Sequence, residues 1–318
     1  MIRTLTALVI AAGSLVAALP TGDAQAAEYP DKAVEFIVPW SPGGGSDTLM
    51  RIVSNNVEPH LGQPMPVINM PGVSGTVGLK EASGRDADGY TVAQIHEGLL
   101  TANASGITEL SWDSFDPVAL MVASPQYVVV NADRPYKTFE EFIAFAKENP
   151  GAIRFGVTLG GVPHLHAAMI EEAFEVEFSY VGYEGTGQRI RALVGGNLDA
   201  AIGDIASAGQ FVENGDLVFL ANGAPERVEQ APDVPTLTEL GAPLELAVTR
   251  GIVMPKGASP EVKSGMEAAL AALAEDTTFV TQVENAGGAV MFRGIDDYTA
   301  YLSNLSSTVE RLAERLAP

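Results

Sequence analysis

Short apolar runs alternate with segments of helical period along most of this chain. Val34–Val38, Met65–Asn69 and Thr91–Ile95 read as strands, each an apolar run bounded by turn residues. Leu49, Met50, Ile52, Val53 and Val57 recur on one face of a 3.6-residue repeat, which predicts a helix directly after Asp47. A further helix is expected near Gly78–Ser83, and Asp86-Ala87-Asp88-Gly89-Tyr90 is a turn that launches the third strand. Gln126–Asn131 is an apolar run suited to crossing between domains. Phe139–Lys147 follows as a helix capped by Thr138 and stopped by Pro150-Gly151.

The middle of the chain repeats the opening arrangement. Ile153–Val157 reads as a strand, Thr158–Pro163 as a turn and His164–Phe174 as a helix. The series then continues with a strand at Glu177–Tyr180, a glycine turn at Glu184–Gly187, a helix at Gln188–Val194, and strands at Leu198–Ile202 and Leu217–Asn222. Glu245–Met254 reads as a second crossing, and Ser259-Pro260 opens a helix-rich final segment. The alternation implies an α/β fold with largely parallel sheets, arranged as two lobes with a cleft between them. The expected division is residues 27–125 plus 251–318 for one lobe and 126–250 for the other.

Two glycine turns carry the candidate chemistry. Val34–Val38 runs into Pro39-Trp40-Ser41-Pro42-Gly43-Gly44-Gly45-Ser46-Asp47 just before a helix start. A strand, a glycine turn and a helix N-terminus aim backbone N–H groups and the positive end of the helix dipole into one concavity, which suits an anion. The same turn also reads as a tight connection with Ser46 or Asp47 as helix cap. The second turn, Thr158–Pro163, supplies a partner on the other lobe, so that both can clamp one ligand. No lysine and no Gly-Lys-Ser/Thr ending follows the first turn, which argues against a nucleotide phosphate.

Composition narrows the classes. The formal charge of −22, from 18 basic and 40 acidic residues, disfavours nucleic acid and anionic lipid as partners. It also leaves attraction of an anion to local dipoles and a few fixed cations. Arg250, at the expected second crossing, is the arginine placed to grip a carboxylate through two parallel hydrogen bonds; a plain salt bridge is its alternative role. Arg189 and Arg191, on the helix after Gly187, read as solvated. No G-x-S-x-G elbow occurs, and His164 and His166 point to different faces of a helix, a poor metal pair. His96-Glu97 reads as a loop lining a polar cleft. Neither enzymatic activity nor a cofactor or metal is expected. Residues 1–26 resemble a cleaved signal peptide, with Arg3, an apolar core from Leu5 to Leu19 and Ala24-Gln25-Ala26 as cleavage site. Without cysteine there is no lipobox or disulfide framework, and a periplasmic monomer is the expectation.

An ordered series of short motifs resembles the periplasmic solute receptors of tripartite tricarboxylate transporters, the TctC/Bug family. It comprises Tyr29-Pro30-Asp31-Lys32, the Pro39–Asp47 turn, Asn69-Met70-Pro71-Gly72, Asp88-Gly89-Tyr90-Thr91 and Phe115-Asp116-Pro117-Val118. It continues through Gly185-Thr186-Gly187, Leu193-Val194-Gly195-Gly196 and Asp233-Val234-Pro235-Thr236. Thr249-Arg250-Gly251 resembles the Trp-Arg-Gly branch that includes citrate receptors, with threonine in place of tryptophan. The resemblance implies a two-lobed Venus-flytrap fold with two crossover segments, which closes on a di- or tricarboxylate and delivers it to the transporter's membrane subunits. It places ligand contacts at Trp40, Ser41, Gly43, Gly44, Gly45, Ser46 and Asp47 in the first lobe. In the second they fall at Thr158, Gly160, Gly161, Pro163, His164, Tyr183 and Asp204, with Arg250 at the crossing. Glu184 and Met70 stand where relatives carry lysine and arginine, and leave a dicarboxylate or aromatic acid open. The alternative function is a ligand-sensing partner of a sensor kinase built on the same fold.

Overall fold

The computed structural model describes residues 29–316 except 41, 44, 184 and 185. The expected signal peptide, Ser41, Gly44 and the first half of the Glu184–Gly187 turn therefore lie outside the described residues. The chain first forms β1 (Glu35–Val38), α1 (Gly45–Leu61), β2 (Val67–Asn69), α2 (Thr76–Ser83), β3 (Thr91–Ile95), α3 (Glu97–Ala104) and β4 (Phe115–Pro125). It crosses into β5 (Tyr127–Asn131), α4 (Phe139–Glu148), β6 (Arg154–Val157), α5 (Val162–Phe174), β7 (Ser179–Gly182), α6 (Thr186–Val194), β8 (Ala200–Gly203), α7 (Ile205–Glu213) and β9 (Leu217–Asn222). It returns through β10 (Ala247–Pro255), followed by α8 (Pro260–Ala274), α9 (Thr277–Asn285), β11 (Ala289–Arg293) and α10 (Ile295–Leu316).

Each lobe is built on one sheet, of order β11-β4-β10-β3-β1-β2 in the first and β7-β6-β8-β5-β9 in the second. Alternate residues of a strand point to opposite faces, so each sheet is buried on both sides. In the first lobe Phe36 and Val38 join Leu49, Met50, Val53 and Val57 of α1 and Met266 and Leu270 of α8. Ile37 between them faces the other way, toward Leu99, Tyr298 and Leu302. In the second lobe Val128 and Val130 pack with Phe142, Phe155 and Ile170, while Tyr127 and Val129 pack with Ile190, Leu193 and Ala208.

The sheets are less parallel than the alternation of elements implies. Parallel pairing is confined to β1 with β2 and β3, and to β6 with β7 and β8. β10 runs antiparallel to β3 and β4, and β5 antiparallel to β8 and β9. The cause is the crossing itself, since a strand arriving from the other lobe enters its sheet from the opposite end. The second crossing also falls earlier than the expected division at residue 250. β10 pairs with β4 from Ala247 onward, so Thr249 and Arg250 belong to the first lobe's sheet. β7 begins two residues later than expected, because the Phe178 N–H donates to the Glu171 carboxylate at 2.6 Å instead of entering the ladder.

The two crossings lie side by side. Gln126 N–H donates to the Leu246 carbonyl at 2.8 Å, Leu246 N–H to the Gly223 carbonyl at 2.9 Å, and Gly223 N–H to the Gln126 carbonyl at 2.8 Å. Three chain segments are thus stitched together where the lobes join. Just beyond, Gly251 lets α10 rest on the sheet, since a Cβ there would overlap the Tyr298 phenol. Overpacking of this kind costs about 1–3 kcal/mol. Gly251→Ala should lower the unfolding free energy in urea by that amount, with part recovered when Tyr298→Leu is added. A loss below about 0.5 kcal/mol, the ordinary range of a surface change, would show that α10 does not bear on the sheet here.

Candidate ligand-binding site

The first glycine turn is shaped from within by Asp47. Its carboxylate accepts from the Gly43 N–H at 2.8 Å and from Asn69 Nδ2 at 2.8 Å, and pairs with Arg51 at 2.9 Å. Burial opposes the charge on Asp47, but the bonds from Arg51, Gly43 and Asn69 outweigh it and hold the carboxyl below its ordinary range. Gly43 takes a φ of +79°, which a side chain would strain. Asn69 also donates to the Trp40 carbonyl at 3.0 Å, so β2 fixes the turn from beside it. The Trp40 ring stacks on His96, with centroids 4.4 Å apart and planes at 11°, and its buried Nε1 has no partner among the described residues.

Arg250 stands behind this turn and is 5% exposed. Its Nε donates to Ser46 Oγ at 3.1 Å, and its Nη1 donates to Ser124 Oγ and to the Val248 carbonyl, each at 2.9 Å. Nη2 faces Gly45, 3.4 Å from where a Cβ would sit, so glycine leaves this end of the guanidinium open toward the turn. Burial pulls the Arg250 pKa down to about 10 against the opposing fields of Glu97 and Asp204, and the group stays cationic. Glu97 lies beneath, accepting from the Thr249 N–H at 2.9 Å and from Tyr301 Oη at 3.3 Å. Burial raises its pKa. His96 accepts the Gly98 N–H on Nδ1 at 2.7 Å, which leaves the proton of the neutral ring on Nε2. Burial and the neighbouring Arg250 push its pKa down to about 3.

The second turn follows β6. Gly160 takes a φ of +67° and donates its N–H to His164 Nδ1 at 3.1 Å, while Gly161 caps α5 with Pro163 in the first helical turn. The Tyr183 N–H donates to the Val157 carbonyl at 2.8 Å, and its side chain is half-buried. Asp204 caps α7, accepting the Ser207 N–H at 2.8 Å. Beneath the turn lies Arg189, 1% exposed, with its Nε on the Ile202 carbonyl at 3.0 Å. Its other nitrogens donate to Thr158 Oγ1 and Thr186 Oγ1, each at 3.3 Å. Gly156 makes room for it, since a Cβ there would sit 2.8 Å from Arg189 Cγ. His166 stays neutral beside it, pushed down to about 3 by burial and by the Arg189 charge.

The two halves face each other. Asp204 of the second lobe acts electrostatically on both Arg189 and Arg250. Gly160 approaches Ser105 at the end of α3, and Ala206 approaches Gly287. Gly45, Ser46 and Arg250 therefore stand on the first lobe's side and Gly160 and Asp204 on the second's, whereas the Tyr183 ring packs against the cluster of Ile190, Leu193 and Leu198 and acts on Arg154 at the start of β6, away from the turn. Asp47 and His164 spend their visible bonds on bracing their own turns. Ser124 joins the site without a motif to announce it, while Glu97, expected in a loop lining the cleft, is instead buried at the start of α3, and Arg189 is buried as well. The expected solvation of Arg189 is wrong for a reason visible in its spacing, because it stands four residues before Leu193 and shares that residue's inward face. Among the described residues no cluster of acidic or histidine side chains is placed to hold a metal ion, and no helix is long and apolar enough to cross a membrane.

Comparison with known proteins bears on the family and the fold. The chain is 33% identical over 252 residues to a UPF0065 protein from the gbd 5′ region of Cupriavidus necator, covering 78% of this chain and 76% of the relative. Among solved structures, a TctC solute binding protein from Polaromonas is 28% identical with a TM-score of 0.81, over 90% of this chain and 99% of that one. MatC from Rhodopseudomonas palustris, solved with bound malate, shares the fold at 24% identity and a TM-score of 0.69, over 91% of this chain and 100% of that one. The sequence model described as the tripartite tricarboxylate transporter family receptor matches residues 49–317. The fold is thus the two-lobed one of periplasmic solute-binding proteins, whose members are receptors rather than enzymes. This chain belongs to the tripartite tricarboxylate transporter receptor family.

Proposed function

We propose that this chain is a periplasmic receptor that closes on a small organic carboxylate and hands it to the membrane subunits of a tripartite tricarboxylate transporter. The observation that carries the reading is Arg250, a buried cation behind the first glycine turn with one end of its guanidinium turned toward Gly45. A carboxylate there meets a preformed donor, the start of α1 and the adjoining turn, all held in place before binding. The second turn completes the enclosure. Because a ligand shifts an open–closed equilibrium only by its difference in affinity for the two states, contacts from both lobes are what make capture and release distinguishable to a permease.

Refolded protein freed of carried-over ligand should show a selective thermal shift with one of citrate, tricarballylate, succinate, malate, glutamate and terephthalate. A ligand at a hundredfold excess over its dissociation constant adds about 2.7 kcal/mol of apparent stability. Arg250→Met should weaken the responding acid by about 2 kcal/mol or more, roughly thirtyfold, with the urea midpoint of the ligand-free protein tracked in parallel. Unchanged affinity in a folded Arg250→Met protein would remove the arginine from the site. A clean sample that responds to none of the acids would sink the carboxylate reading.

The protonation states add a second test. His96 and His166 titrate near 3 and Arg250 near 10, so none of them changes charge between pH 6 and 8.5. The dissociation constant of a fully ionised acid should therefore stay flat, within about twofold, over that window. A loss of affinity on raising the pH through about 6.5 would instead mean that a protonated histidine meets the ligand.

A further inference from the structure

Among the described residues Arg189 is the one cation of the second lobe buried to 1% exposure, and it makes its side-chain bonds to neutral oxygens. Enclosing a guanidinium among uncharged acceptors is costly unless an anion lies near enough to benefit. Asp204 supplies part of that field while one of its oxygens caps α7, but among the described residues no hydrogen bond joins it to Arg189. The partners of Arg189 are informative. Thr158 opens the second glycine turn and Thr186 starts α6, so one guanidinium holds the hydroxyls of both segments together.

A hydroxyl that accepts a hydrogen bond from a guanidinium has its lone pair occupied on that side, and its own proton must point elsewhere. Among the described residues neither Thr158 Oγ1 nor Thr186 Oγ1 donates a hydrogen bond to protein. Both hydroxyl protons are thus free to turn outward, backed by a full positive charge that polarises them. A wall of this kind offers donors and rejects donors, and suits a carboxylate oxygen better than an amide or ester.

We propose that Arg189 is a positioning residue that turns the Thr158 and Thr186 hydroxyls into donors for a second carboxylate, so that this receptor takes a dianion with its charged ends on opposite lobes. The inference rests on the carboxylate-receptor reading of the site. It assigns the two ends of the ligand to two guanidiniums, Arg250 acting directly and Arg189 through the threonines. It also gives closure a charge requirement, because a ligand lacking the second carboxylate would engage the first lobe and gain little from the second.

The test compares the α,ω-diacids succinate, glutarate and adipate with their monoamides, which match them in size and remove one charge. Dissociation constants are measured by calorimetry for the wild type, Arg189→Met, Arg189→Lys and the Thr158→Val/Thr186→Val double variant. The wild type should prefer at least one diacid over its monoamide by about tenfold or more. Arg189→Met and the double valine variant should cut that ratio below about threefold, diacid affinity falling at least about threefold further than monoamide affinity, and Arg189→Lys should restore part of the ratio. A purely structural strut would instead weaken diacid and monoamide alike. An unchanged ratio in either folded variant, or a wild type that binds both forms equally, overturns this proposal alone. A wild type that binds no member of either series overturns this proposal, and the receptor reading falls with it only where the six-acid thermal-shift screen is blank as well. If Arg189→Met does not fold, the double valine variant decides the matter, since it leaves the arginine in place.

Discussion

The burial of Arg250 is the constraint on which the rest of this structure depends. A guanidinium at 5% exposure persists only if its donors are met and its charge is answered. Ser46, Ser124 and the Val248 carbonyl meet the donors, while Glu97 and Asp204 answer the charge from two directions. These groups come from α1, β4, β10, α3 and the start of α7. One side chain thus ties the first glycine turn to the crossing strands and to the opposite lobe.

That arrangement explains why so much of the surrounding sequence is small or polar. Gly45 leaves the guanidinium open to the turn, and Gly251 next to Arg250 lets Tyr298 close over the sheet. Glu97, held by Thr249 and Tyr301, lies on the core side, where its charge balances the arginine without reaching the cleft. His96 is kept neutral by burial and by the same arginine, and offers a flat face to Trp40. Each group is locked by a second one, which is how a binding wall keeps its shape between ligands.

Much of the fold was legible because its strands are short apolar runs and its helices begin with recognisable caps. Thr138 and Ser259 cap α4 and α8 as their positions imply. What escaped were β4, β11, α3 and α7, whose patterns are interrupted by crossings and polar contacts. Gln126–Asn131 was legible as a crossing, but its antiparallel direction depends on which end of the second sheet it enters, and no local pattern encodes that. At the site, the glycine turns and Arg250 were legible because their residue types are restrictive. Arg189 was hidden by its type, since an arginine on a helix is ordinarily solvated. Only its register with Ile190 and Leu193, and the missing Cβ of Gly156, show that it points inward. Ser124 and Glu97 matter only through contacts 126 and 152 or more residues away in sequence, which periodicity cannot report.

The net charge of −22 acquires a different meaning once the two buried arginines are in view. A field of that sign repels an anionic ligand at long range, but at physiological ionic strength it fades over about 8 Å. Inside the cleft the relevant charges are few, close and shielded from water, so each acts at a lower effective dielectric than those on the surface. An acidic exterior and a few buried guanidiniums, each with a carboxylate nearby, are therefore compatible. Anions find no general attraction to the protein surface, so on the proposed reading occupancy would follow the fit of the ligand between the two guanidiniums. Selectivity in such a receptor comes from where its cations are buried rather than from how many it carries.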